Sequence, residues 1–304
     1  MNEWSLLIFT YMMNAAVGLC VVSGVFAMHF SHRLPTDSFK RFMMLMIFII
    51  CGIAGVGSVA SITHLGVPLN APNAINNVFS AWLSREVVVT ASFVGVLGIS
   101  FLWLWKTDKF SFLLYGGAMA IGLFDIFCMA SIYRYTSILT WNDINTYLMF
   151  YGTTLTLGAV LFILLVVIVE KTGHRVGIAL PADTLSLSQL WLLWGMMAVS
   201  LAGRLLYQPF YEHYLTLTQL THKSITFPLS PIDAYDSIAE LRIGVLAAAT
   251  IGVALCCISL VRAQKKAHNG VPVCGGFITG GLLTIAAEFM LRYVFYYIHI
   301  WREM

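Results

Sequence analysis

Continuous apolar runs of about 20 residues, separated by short polar segments, dominate the chain. The runs cover roughly 5–30, 42–62, 86–105, 110–132, 148–170, 189–207, 238–261 and 276–299. Each is long enough to cross the roughly 30 Å hydrocarbon layer of a bilayer as a helix. A transmembrane β-barrel would instead show ten-residue segments of strict alternation. The pattern therefore predicts an all-α integral membrane protein, with eight transmembrane helices in one bundle over residues 1–304. No internal repeat, low-complexity tract or long soluble insertion interrupts it. The residues before Ser5 lack the basic stretch of a cleavable signal peptide, so the first run reads as a retained helix.

Composition agrees with this reading. Of 304 residues, 59% are hydrophobic and only 10% charged, with a mean hydropathy of +0.84. Soluble domains carry about 25% charged residues. Disorder needs the opposite balance of charge and hydrophobicity. A net charge of +3 gives no reason to expect nucleic acid as a partner.

Placement of the basic residues sets the expected orientation. Arg33, Lys40, Arg41, Lys106, Lys109, Lys171, Arg175, Arg262, Lys265 and Lys266 fall in one set of loops. Arg85, Arg134, Lys223 and Arg302 fall in the other. The richer side is expected to be cytoplasmic, so both termini face outward. The outer loops 63–85, 133–147 and 208–237 are the long ones, and loops of such length usually carry function. In the first, Asn70 and Pro72 form a plausible helix start. Ile75, Val78, Phe79 and Trp82 then recur opposite Asn73, Asn76, Asn77 and Ser80. This segment reads either as a short amphipathic interface helix or as an ordered polar loop.

Ionisable groups within spans cost about 2.5–3.5 kcal/mol each at the bilayer centre. Asp125, Arg204, Glu240, Arg242, Glu288 and Arg292 occupy such positions, all in the outer half. An ion-coupled transporter or channel would place polar groups through the full depth. In the last span Glu288, Arg292, Tyr296 and His299 share one face, and Glu288 precedes Arg292 in the favourable order for a helical ion pair. Asp125, Arg204 and Glu240 read mainly as internal charge pairs. His299 serves either packing or chemistry. His64 and Glu86 differ, because they bracket the Asn-rich loop with no partner in their own helices. Oxidising a quinol releases two protons and two electrons. A carboxylate and an imidazole in an outer-leaflet pocket are suitable acceptors for the protons.

Haem would need histidines from facing helices. Only His29, His64 and His299 lie in or beside spans, and His29 is at the opposite face. The six cysteines form no metal-ligand spacing; Cys274 lies near the inner surface and the others lie inside spans. Neither haem nor an iron–sulfur cluster is expected in this protein.

The stretch Ser61-Ile62-Thr63-His64-Leu65-Gly66-Val67-Pro68-Leu69-Asn70-Ala71, then Asn73-Ala74-Ile75-Asn76 and Leu83-Ser84-Arg85-Glu86-Val87, resembles the membrane anchor subunit of bacterial dimethyl sulfoxide reductases. Supporting matches are Glu3 to Thr10, Thr140-Trp141, Arg242-Ile243, and Glu288, Arg292, Phe295-Tyr296 and His299. The resemblance implies a multi-pass protein of the bacterial cytoplasmic membrane with eight helices and both termini periplasmic. It implies no haem or cluster in this subunit, and menaquinol from the quinone pool as bound substrate. The implied partners are a four-cluster iron–sulfur subunit and a molybdopterin catalytic subunit. His64 and Glu86 carry over as the quinol residues. Arg85, Arg242, Glu288, Arg292 and His299 are secondary candidates for binding quinol or shaping its pocket. Arg85 stands where the family usually has Asn. An arginine there either holds Glu86 ionised or orders its loop, and sulfoxide as the complex's substrate is not implied. A transporter or channel, and an anchor without quinol chemistry, are the competing readings.

Overall fold

The computed structural model describes residues 4–63, 73, 75–181, 184–221, 231–266 and 275–300, with the side chains of residues 176, 219–221, 299 and 300 left aside. Among these residues the polypeptide runs α1 (Trp4–Arg33), α2 (Thr36–Thr63), α3 (Trp82–Thr107), α4 (Phe112–Arg134), α5 (Asn145–Thr172), α6 (Leu187–Thr221), a short α7 (Pro231–Asp236), α8 (Ala239–Lys266) and α9 (Gly275–Ile300). Eight of them are long and apolar enough to cross a membrane; the protein is a multi-pass, all-helical membrane protein. Up-and-down alternation places the ends of the first and last helices together, and Trp4 stacks on Tyr293 at 5.5 Å between ring centroids. This end is called the terminal end below.

Two four-helix groups meet through α1 and α5. The first helix packs on α2, α4, α5 and α9, while α5 packs on α1, α4, α6 and α9. Both are buried around most of their circumference, as apolar helices without a polar face must be. Lipid offers no hydrophobic drive for helix association, so close backbone approach and interhelical hydrogen bonds hold such seams. A Cβ on Gly18 would lie 2.1 Å from the Thr154 carbonyl oxygen, and one on Gly158 would lie 2.4 Å from the Gly18 carbonyl oxygen. Beside this crossing the Thr154 hydroxyl donates to Asn14 Oδ1 at 2.7 Å. Gly18→Ala is therefore expected to cost about 1–3 kcal/mol through forced separation of α1 and α5. Gly55→Ala, whose added carbon meets open space, is expected to be neutral. Thermal unfolding in detergent compares the two.

One element departs from the sequence pattern. The sixth span runs on to Thr221 rather than ending near 207, and it contains Pro209. At 1.5 Å per residue its 35 residues extend about 50 Å, well beyond the hydrocarbon layer. Three tyrosines on this extension grip the α4–α5 loop. Tyr211 and Tyr214 donate to the carbonyls of Thr140 and Leu139 at 2.5 and 3.1 Å, and Tyr207 donates to Asp143 at 3.3 Å. In the segment before α3, of the two readings open from sequence, the described residues follow the loop and not the α-helix. Asn70 and Pro72 lie outside the described residues. Residues 75–77 form a single 3-10 turn followed by a turn at 78–80, with no α-helix, and Trp82 already belongs to α3. Glu240 also departs: it is exposed at the start of α8 rather than buried within a span.

Candidate functional site

The buried charge gathers in the half of the bundle toward the terminal end, and it falls into three groups. The first centres on Glu86. It lies early in α3, is 5% exposed, and forms no hydrogen bond or ion pair with any described residue. One turn on, Thr90 donates to Asp125 Oδ1 of α4 at 2.9 Å. Asp125 is fully buried, and its other oxygen has no partner among the described residues. Glu86 sits within electrostatic range of Asp125 and of the buried tyrosines Tyr133 and Tyr296. These phenols bond to each other at 2.6 Å, and Tyr296 reaches Thr10 of α1 at 3.2 Å. Glu86, Thr90 and Asp125 thus form a buried acidic cluster beside the Tyr133–Tyr296–Thr10 hydroxyls, and one Asp125 oxygen is free to accept a proton among the described residues.

Arg85 caps this core from the loop side. Its Nε donates to the Val78 carbonyl at 2.9 Å and its Nη2 to the Phe79 carbonyl at 2.7 Å. The guanidinium lies 4.3 Å from the Trp82 ring centroid. Of the two roles open to it from sequence, these contacts are those of loop ordering. Trp82 in turn stacks on Tyr135 at 5.9 Å, so α3, the preceding turn and the end of α4 are tied together.

The second group is an ion pair. Glu288 accepts from Arg204 Nη1 at 2.9 Å and from Nη2 at 2.5 Å, and from Thr153 at 2.9 Å. Both charged side chains are 1% exposed. The expected helical pair of Glu288 with Arg292 is not formed. The cross-helix partner offers bidentate geometry that a neighbour on the same helix cannot match, and Gly152 of α5 leaves room for the Arg204 side chain, 3.0 Å from where a Cβ would sit. Arg292 is left fully buried, with none of its three guanidinium nitrogens hydrogen-bonded among the described residues. It packs over the Phe150 ring at 3.9 Å. Aromatic faces partly replace the missing anion.

The third group is Arg242, which lies over Tyr235 at 3.4 Å and meets Glu212 at 3.5 Å. It stands apart from the Glu86 core, with the stacked Trp141 and Phe295 rings between. His64 lies outside the described residues. His299 ends α9, and its side chain is not described. Thr90, Asp125 and the Tyr133–Tyr296 pair are the members that sequence reasoning passed over as site residues. The step of four from Glu86 to Thr90 was the available signal. Among the described residues, no group of three His, Cys, Asp or Glu side chains is placed to hold a metal ion.

The arrangement defines a polytopic membrane protein with an intramembrane acidic site at one end. Comparison with known sequences makes this specific. The profile of the DMSO reductase anchor subunit (DmsC) family matches residues 1–298, and the protein belongs to that family. It is 28% identical to the YnfH subunit of an anaerobic dimethyl sulfoxide reductase of Escherichia coli (strain K12), over 98% of this sequence and 95% of that one. It is 25% identical to another anaerobic dimethyl sulfoxide reductase subunit of the same organism, over 98% and 96%. An anaerobic dimethyl sulfoxide reductase subunit of Haemophilus influenzae is 32% identical over about half of each sequence, 52% and 57%. The resemblance carried by residues 61–87 is thereby met.

Proposed function

We propose that this protein is the menaquinol-oxidising membrane anchor of a molybdoenzyme reductase in anaerobic respiration. In this reading it sits in the bacterial cytoplasmic membrane with the terminal end toward the periplasm. Quinol binds at that end, near Glu86. Oxidation breaks the two O–H bonds of the quinol, giving quinone, two protons and two electrons. Glu86 takes one proton, with His64 taking the other or orienting the ring. The electrons pass to an iron–sulfur cluster in a four-cluster partner subunit and on to a molybdopterin catalytic subunit. The protons leave on the side where the quinol binds, so the step builds no membrane potential.

The observation that carries this reading is Glu86 itself, a buried carboxyl group with no counter-ion among the described residues. Structure alone gives little reason to bury such a group, because unpaired ionisable side chains in a membrane are costly. Proton exchange with a bound substrate gives one. The family membership supports the anchor role.

The test is a titration of the membrane-embedded protein with a redox-inert quinol analogue, read by quenching of tryptophan emission. Trp82, one turn before Glu86, is the expected reporter. Saturable quenching that Glu86→Gln weakens by at least about tenfold supports the reading. Quenching that the variant leaves unchanged overturns it.

A further inference from the structure

A cavity at the terminal end lies among α5, α6, α7, α8 and α9. Its polar lining is Asn145, Arg204, Gln208, Tyr211, Tyr235 and Arg242. Most of these groups are already engaged. Arg204 is neutralised by Glu288, Tyr211 donates to the Thr140 carbonyl, and Tyr235 donates to Gln208. Two are not. Among the described residues, Arg242 Nη1 is buried without a hydrogen-bond partner, and so is Asn145 Oδ1. Asn145 is 9% exposed. The carboxylate paired with Arg242 among these residues is Glu212, at 3.5 Å and half exposed. That is longer than the roughly 2.8 Å of a charge-assisted hydrogen bond. The Tyr235 ring meanwhile fixes the guanidinium plane.

A buried guanidinium N–H needs an acceptor, and an anionic oxygen is the best one. The amide of Asn145, turned by 180° about its last torsion, presents a donor to the same cavity. Leu246, Leu291, Val294 and Ile298 complete the lining, the last three buried in the core. Asn145 opens α5 and Arg242 lies in the first turn of α8, so the polar groups stand at headgroup depth. At this depth the anionic oxygens nearest to hand outside the protein are those of lipid phosphates.

We propose that this cavity binds a phosphate group, carried by a phospholipid headgroup whose acyl tails stay in the surrounding bilayer. Arg242 supplies the charge and Asn145 a neutral donor. None of the lining residues belongs to the Glu86 core, and Arg242, a secondary quinol candidate from sequence, is assigned to this cavity instead.

The experiment is native mass spectrometry of the full-length protein in a non-ionic detergent, with dioleoylphosphatidylglycerol as probe and dioleoylglycerol as headgroup-free control. Inorganic phosphate is added as competitor in a separate arm. Wild type is expected to retain the phospholipid and not the diacylglycerol. Arg242→Gln and Asn145→Asp are each expected to reduce retention at least about tenfold. Asn145→Asp keeps the test secure against misfolding, because it preserves side-chain size while placing in the cavity a negative charge that repels phosphate. Persistence of the lipid against inorganic phosphate supports the lipid-borne source. Displacement by it supports the same site chemistry with a soluble source. Equal retention by wild type and both variants, equal retention of diacylglycerol, or binding of neither phosphate probe overturns the proposal.

Discussion

Glu86→Gln is expected to lower quinol-dependent reduction by the assembled complex at least about 100-fold, the scale of a lost general base. The same complex supplied with electrons by a soluble dye that bypasses the membrane subunit should turn over normally. Glutamine keeps the volume and shape of the side chain, and Glu86 holds no described partner whose loss would loosen α3. Replacing a buried ionisable group by a neutral isostere does not raise the cost of folding. The variant should therefore accumulate and assemble as wild type does, with only the proton acceptor removed. Glu86→Lys is expected to be equally inactive. Wild-type quinol turnover in either variant, with assembly intact, removes Glu86 from the mechanism.

The eight spans were legible because burial in lipid forces every backbone polar group into a helix and every outward side chain to be apolar. That constraint leaves long continuous runs. It stops at the membrane surface, and there the reading weakened. The extension of α6 beyond residue 207 is mixed in polarity and interrupted by Pro209, so hydropathy ended the helix early. Its sign was a different one: Tyr207, Tyr211 and Tyr214 at steps of four and three, on the face that meets the α4–α5 loop. Charge pairing was legible only within one helix. Spacing along α9 joined Glu288 to Arg292, but a bundle core offers partners from other helices, and Arg204 reaches Glu288 with two nitrogens. Asp125 was visible as an expensive residue. Its assignment to internal charge pairing failed because its hydrogen-bond partner is the neutral Thr90, which no count of opposite charges reveals.

The largest expected loss of stability is at Glu288. Glu288→Ala leaves Arg204 buried and uncompensated, and removing one member of a buried pair costs about 3–5 kcal/mol. That is comparable to the whole net stability of many proteins, about 5–15 kcal/mol. Here the loss is aggravated by Arg292, which is already unpartnered among the described residues one turn away. The variant would hold two arginines in one apolar core with no acid between them. It is expected to accumulate poorly in membranes and to unfold well below wild type in a thermal scan. The paired replacement Arg204→Met with Glu288→Leu removes both charges together. It is expected to recover most of the loss, because swapping a buried ion pair for apolar groups of similar volume is often neutral. Quinol-dependent turnover per folded molecule should then survive in the double variant if Glu288 and Arg204 serve packing. A folded double variant that cannot oxidise quinol would instead place the pair in the proton chemistry. Wild-type stability of Glu288→Ala alone would show that Arg204 finds another anion, and that the ion pair does not hold α6 to α9.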